Sequence, residues 1–287
     1  MAQHNVCRVG QSASHYIHAG GRTLKQGKIL VVGIGEVGSA LADVIERTQP
    51  VLRHDLEPQD FDEPIDVMHL CVPYQSQAQF ESAALSYIAR FKPSLTVINS
   101  TVVPGTTRAV AGKSGRPVAY SPVRGKHVMM RDDLIRYVKF VASPVAEDAD
   151  CAGRHFRSAG MGSRRVSKVE TLELAKLAET TYFGVLIAFA QELHRYAELT
   201  GADYQEATDF FDEIEFLPQS RYFPGFIGGH CVIPNIHLLK KIGPSPLFDA
   251  VLDSNRLRAM EMAAEKNTCD RAPRAPDANA RKMLANR

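Results

Sequence analysis

Several things are scarce in these 287 residues, and each scarcity excludes something. No apolar run is long enough to cross a bilayer, so no membrane partner is expected. The first residues hold no hydrophobic core of a secretion signal. Formal net charge is only +2, which gives no case for nucleic acid as the main target. Neither C-x-x-C nor H-E-x-x-H occurs, so no metal site is expected. The cysteines number five, odd and irregularly spaced, as in a reduced cytoplasmic protein rather than a disulfide framework. The length suits one large or two ordinary domains.

What is present begins at Lys28. Ile29–Val32 is a β-branched apolar run of the kind buried on both faces of a sheet. Gly33-Ile34-Gly35-Glu36-Val37-Gly38 follows as G-x-G-x-x-G, then Ala40, Leu41, Val44 and Ile45 at helical spacing. This reads as a nucleotide cradle. Gly33 permits a tight turn, Gly35 lets backbone approach a pyrophosphate, and Gly38 lets helix pack on strand. The helix N-terminus then offers N–H groups and a positive dipole end to the phosphates. Asp55 stands 20 residues after Gly35, at the end of a second strand, Val51–Asp55. An acid there accepts hydrogen bonds from an adenosine ribose and repels a 2′-phosphate, which favours NAD over NADP. Arg53 and His54, its neighbours, pull the other way.

Further strands are expected at Ile65–Pro73, Ser94–Asn99, Val118–Tyr120 and Tyr137–Val141, with helices at Gln77–Phe91 and Ala146–Ala159. Such alternation predicts an α/β fold, a Rossmann-like doubly wound parallel sheet. Ser100 and Thr101 end the fourth strand, where doubly wound sheets bind ligands; helix capping before Pro104 is an equal alternative. An all-helical domain is expected to follow. Glu170–Leu199 is one long helix whose apolar surface is wider than a stripe, so it is expected to be buried on several sides. Lys176 and Thr180 lie one turn apart on it, and an exposed lysine is the plainer reading of Lys176. A helix at Tyr204–Ile214 follows. A glycine-rich stretch, Ser220–Asn235, then contains Gly228-Gly229-His230-Cys231, ahead of a helix at Ile236–Ile242. A cysteine near a helix start, beside a histidine, would be a competent nucleophile; a buried inert cysteine is the alternative. A last helix spans Leu247–Lys266. The expected organisation is an arm over 1–27 with His4, His15 and His18, a nucleotide domain over 28–168, a helical dimerisation domain over 169–266, and a frayed tail over 267–287.

Together these motifs resemble the UDP-glucose/GDP-mannose dehydrogenase family of nucleotide-sugar dehydrogenases. The match runs roughly from Lys28 to Ala264. It takes in the glycine cradle, Cys71-Val72-Pro73, Ser100–Thr107, Tyr120-Ser121-Pro122, Leu174–Glu179, Ile187–Leu193 and Pro224–Cys231. The Gly-Gly-His-Cys form is similar to the branch acting on UDP-N-acetylhexosamines. The resemblance implies two hydride transfers to NAD⁺ from a sugar C6 alcohol, with Cys231 attacking the intermediate aldehyde. It implies Lys176 as stabiliser of oxyanion charge and Thr101 as positioner of the reacting oxygen or a water, with Thr180 and Asn235 beside them. Val72, Pro73, Ser100 and Thr101 would join the glycine cradle and Asp55 around the cofactor. Arg221, Tyr222, Gly228, Gly229 and His230 would meet a small-molecule substrate, and a homodimer would form through helix 170–199.

The chain departs from the pattern at three positions. Val123, Thr180 and Asn235 stand where the family usually has glutamate, asparagine and aspartate. The family's third, nucleotide-closing domain has no counterpart in these residues. Three functions stay open: an NAD-dependent dehydrogenase with a divergent site, an enzyme using the cysteine for other chemistry, and a non-catalytic regulatory protein.

Overall fold

A computed structural model describes residues 27–57, 61–125, 127–212, 214 and 222–271. The arm with His4, His15 and His18, the tail from 272 and Arg221 lie outside the described residues. The chain forms two units. One holds the chain up to Ser100 and Pro104–Leu172; the other holds Thr101–Val103 and the chain from Glu173 onward.

The first unit contains a five-stranded parallel sheet built from β1 (Lys28–Val32), β2 (Val51–His54), β3 (Ile65–Leu70), β4 (Leu95–Ile98) and β5 (Val118–Tyr120). Their order is β2-β1-β3-β4-β5, all pairs parallel. The order doubles back beside β1, so a crevice opens at the C-terminal ends of β1 and β3, where such sheets take ligands. Helices α1 (Glu36–Glu46), α2 (Gln77–Phe91), α3 (Thr106–Ser114), α4 (Met130–Arg136) and α5 (Ala146–Ser158) complete the unit. β6 (Lys139–Val141) is not a sixth strand of this sheet. It pairs with β7 (Ser163–Arg165) and meets β5 through one antiparallel bridge, Tyr120 to Ala142. The strands β1, β3 and β4 are almost wholly buried, as an apolar run without alternation requires.

A buried polar chain crosses this unit. Asn99 Nδ2 donates to Ser121 O at 2.7 Å, so Asn99 Oδ1 is left to accept from His69 Nδ1 at 2.9 Å. His69 Nε2 must then accept from His155 Nε2, also at 2.9 Å. Both rings are neutral. Burial and the facing His155 hold His69 well below the usual histidine range, and burial pushes His155 down to about 4. Lys139 Nζ donates to the carbonyls of Ser121 and Pro122 at 3.3 and 2.9 Å.

The second unit is built on α6 (Val169–Thr200), which starts in the first unit, with α7 (Tyr204–Asp212), α8 (Val232–Ile242) and α9 (Pro246–Arg271). Gly201, at φ +72°, ends α6, and Asp203 accepts from the Glu206 N–H to begin α7. Two boundaries differ from the sequence reading by four residues or more. α8 starts at Val232 rather than Ile236, because Pro234 sits in the first turn, where a helix leaves its N–H groups without partners. α9 runs to Arg271 rather than Lys266, since no proline intervenes before Pro273. α6 is also not buried on several sides. Leu177, Ala188, Ala190 and Ala197 are buried, but Tyr182, Phe189 and Tyr196 are 55, 58 and 64% exposed. No helix among the described residues is long and apolar enough to cross a membrane.

Candidate active site

The cradle follows from the close approach of β1, α1 and the end of β3. Gly33 has φ +88°, and a Cβ there would lie 2.6 Å from Cys71 O. A Cβ on Gly38 would lie 1.8 Å from Gly33 O, so only glycine lets α1 enter at this angle. Gly35 is the N-cap of α1 with no side-chain cap, and a Cβ there would meet nothing within 4 Å. Uncapped first-turn N–H groups beside open space fit a pyrophosphate. Of the remaining cradle residues, Ile34 O accepts from Ser39 Oγ at 2.9 Å, Val37 packs on the core, and Glu36 is exposed as the first residue of α1.

Asp55 is exposed directly after β2. Its two neighbours are otherwise engaged. Arg53 reaches back to Asp43 and Glu46 of α1 at 2.8 and 2.6 Å, and His54 is buried edge-on against Tyr87 and Phe91. At the end of β3, Val72 is half-buried and Pro73 exposed. Ser100 does not cap a helix. Its hydroxyl donates to Val72 O at 2.6 Å, and the N-cap of α3 is Gly105, at φ +98° and without a side-chain cap. Thr101 is half-buried and groups with the second unit.

Cys71 and Cys231 differ sharply. Burial pushes the Cys71 thiol up to about 12, so it stays protonated at neutral pH. Cys231 is exposed and is the N-cap of α8. The start of α8 packs on one face of α6. Asn235 Nδ2 donates to Thr180 Oγ1 at 2.7 Å, while the Thr180 hydroxyl hydrogen points to the carbonyls of Lys176 and Leu177. One turn on, Gly184 admits Val232: a Cβ on Gly184 would lie 2.7 Å from Val232 Cγ1. Two of the three departures, Thr180 and Asn235, are therefore partners of each other. Lys176 is not the exposed helix lysine of the plainer reading. Its side chain is 12% exposed, with Nζ 3.2 Å from Glu179. The third departure, Val123, belongs to the apolar core with Met130 and Leu134.

Gly228, Gly229 and His230 are exposed ahead of Cys231, with Gly229 at φ +81°. Tyr222 is tied down at both ends: its carbonyl accepts from Tyr204 OH at 2.7 Å and its ring meets Phe183 edge-on. Gln191 and Asn255, absent from the expected site, hold this loop. Gln191 Nε2 donates to Gly225 O at 2.7 Å, and Asn255 exchanges two bonds with the backbone of Ile227. The signal for both is an amide within an otherwise apolar helix face. Among the described residues, no group of three or more His, Cys, Asp or Glu could hold a metal.

Fold and cradle define a Rossmann-like parallel sheet followed by a helical unit with a cysteine at a helix start. Residues 170–256 match the central domain of the UDP-glucose/GDP-mannose dehydrogenase family. A UDP-N-acetyl-D-mannosamine dehydrogenase of Methanocaldococcus jannaschii is 28% identical over 193 residues, covering 62% of this chain and 45% of that protein. One from Pyrococcus horikoshii is 27% identical over 61% of this chain and 46% of its own. The chain thus spans about half the length of the curated relatives it matches. Among solved structures, the UDP-N-acetyl-mannosamine dehydrogenase of Staphylococcus aureus superposes with a TM-score of 0.71 at 17% identity, over 86% of this chain and 72% of that one.

Proposed function

We propose that the protein is an NAD-dependent dehydrogenase that oxidises an alcohol on a sugar-like substrate and uses Cys231 as its nucleophile. Support for the first half comes from the uncapped, open N-terminus of α1 at Gly35 and from Asp55, with Arg53 turned away. The observation that carries the second half is the Asn235–Thr180 bond, which sets the Cys231 turn against the α6 face of Lys176 and Thr180. A bound nicotinamide would supply the hydride acceptor. The Lys176 ammonium would stabilise negative charge on the reacting oxygen, and the Thr101 hydroxyl would orient it. Cys231 Sγ would add to the aldehyde carbon as that carbonyl oxygen takes a proton, giving a thiohemiacetal that can lose a second hydride to become a thioester.

Water must then displace the thiol. Asn235 cannot take a proton from that water, and the Val123 side chain has no polar atom to offer. Loss of one acid–base group costs about 10² to 10⁴ in rate, so acid release is slow. The reaction belongs to a reducing cytoplasm, where the thiol persists. The exposed Tyr182, Phe189 and Tyr196, seven residues apart on α6, suit a second copy of the chain. Phe189→Glu should then convert a dimer to a monomer in light scattering.

The decisive assay supplies NAD⁺ with a panel of UDP-, GDP- and free sugars and counts NADH per sugar. Wild type should give a burst of two NADH per active site followed by slow turnover, and Cys231→Ser should keep the first NADH and lose the second. Val123, taken into the core, favours a second reading, a cofactor-binding protein without turnover. NAD⁺ binding with no NADH from any sugar would establish that reading instead.

A further inference from the structure

We propose that Asn255 and Gln191 are positioning residues for the Cys231 thiol, acting through the glycine loop rather than on the substrate. The proposal rests on the reading of Cys231 as nucleophile. Asn255 Oδ1 accepts from the Ile227 N–H at 2.7 Å while its Nδ2 donates to Ile227 O at 3.1 Å. One side chain thus satisfies both backbone groups of one loop residue. Gln191 Nε2 donates to Gly225 O, and Gln191 Oε1 accepts from Ser254 Oγ at 3.0 Å. Arg195 backs this up by donating to Ser254 O and Oγ at 2.9 and 3.2 Å while paired with Glu261 at 2.6 Å.

These amides and the hydroxyl between them are buried: Gln191 is 1%, Ser254 4% and Asn255 6% exposed. Buried amides are expensive, and apolar side chains of the same size would fill the space between α6 and α9 at least as stably. What the amides add is a single backbone path for the loop. That path matters because it leads to Cys231. Gly228 and Gly229 have no side chains to pack, and His230 is exposed. The clamp on Gly225 and Ile227 fixes one end of this loop, and α8 from Val232 onward fixes the other. Cys231 lies between them, four residues from Ile227. Removing the clamp frees one end of a glycine hinge that ends at the reacting sulfur.

The test combines amide hydrogen exchange with the NADH assay on the full chain, using Asn255→Ala and Gln191→Ala. Exchange over 225–231 should quicken in both variants while the rest of the second unit keeps its protection. The second NADH should slow about 10- to 100-fold, as a displacement near 1 Å would do, with KM for NAD⁺ unchanged. A merely destabilising change would move global exchange and both NADH phases together. Unchanged loop exchange, or faster exchange with an unchanged second phase, overturns the proposal. If Asn255→Ala does not fold, Gln191→Ala reads the same loop from Gly225. If wild type makes no NADH from any sugar, the dehydrogenase reading fails, and local exchange alone decides the clamp: loosening confined to 225–231 supports it, and none overturns it.

Discussion

Gly184→Ala sets two known effects against each other. In a helix interior the change favours folding by about 1 kcal/mol, because alanine loses less backbone entropy. At Gly184, however, the new Cβ would stand 2.7 Å from Val232 Cγ1 and 3.4 Å from Ile236 Cδ1. Val232 is β-branched and stiff at χ1, and it is packed with Ile236 and Val251. It cannot swing aside, so α8 must shift. Overpacking of this kind costs about 1 to 3 kcal/mol. The net expectation is destabilisation of about 1 kcal/mol in urea unfolding. Val232→Ala removes the obstructing methyl, so the double variant should be more stable than the two single losses sum to, by about 1 kcal/mol or more. The shift also moves the turn carrying Cys231, so the second NADH phase should slow. A Gly184→Ala protein more stable than wild type would refute the close α6–α8 packing on which the site geometry depends.

Two other perturbations follow from the same geometry. Asn235→Asp places a carboxylate at a position 4% exposed and removes the N–H that Thr180 accepts. It should cost about 2 to 3 kcal/mol at pH 8. Burial raises the introduced carboxyl above its unfolded value, so the deficit against wild type should fade as pH falls toward 4; a pH-independent deficit would count against it. The same variant should speed acid release relative to the first NADH if the missing base is what limits it. His155, buried neutral and pushed down to about 4, binds its proton more readily when unfolded. The first unit should therefore lose about 3 kcal/mol as pH drops from about 6.5 to 4, and His155→Phe should flatten that slope in circular-dichroism melts.

Much of the fold was readable because its elements are strongly patterned. The apolar run before Gly33 and the proline-free stretch after Val169 admit few alternatives, and α2 lies at Gln77–Phe91 as its periodicity predicts. What failed to read was pairing between distant residues. Nothing in Ser100 itself says that its hydroxyl goes to Val72 O rather than to a helix end. Pro234 looks like a helix breaker until its place in a first turn is known, and this misplaced Asn235 outside the helix that starts beside Cys231. Gln191 and Asn255 look like ordinary polar residues until the loop they hold is visible. Local propensity carries strands and helices, whereas sites are assembled from contacts far apart in sequence.

The uninterrupted run of α6 makes it a ruler. Lys176, Thr180, Gly184, Ala188 and Gln191 follow one another at steps of four, four, four and three, a single line about 22 Å long. Along it lie the candidate oxyanion stabiliser, the seat of Asn235, the notch for Val232, a core contact and the anchor of the glycine loop. Inserting or deleting one residue between Thr180 and Ala188 would turn every later member by about 100°. A substitution on this line disturbs one contact, whereas a change of length disturbs every contact beyond it. Relatives of this chain should therefore vary in composition on the other faces of α6 and hardly at all in its residue count.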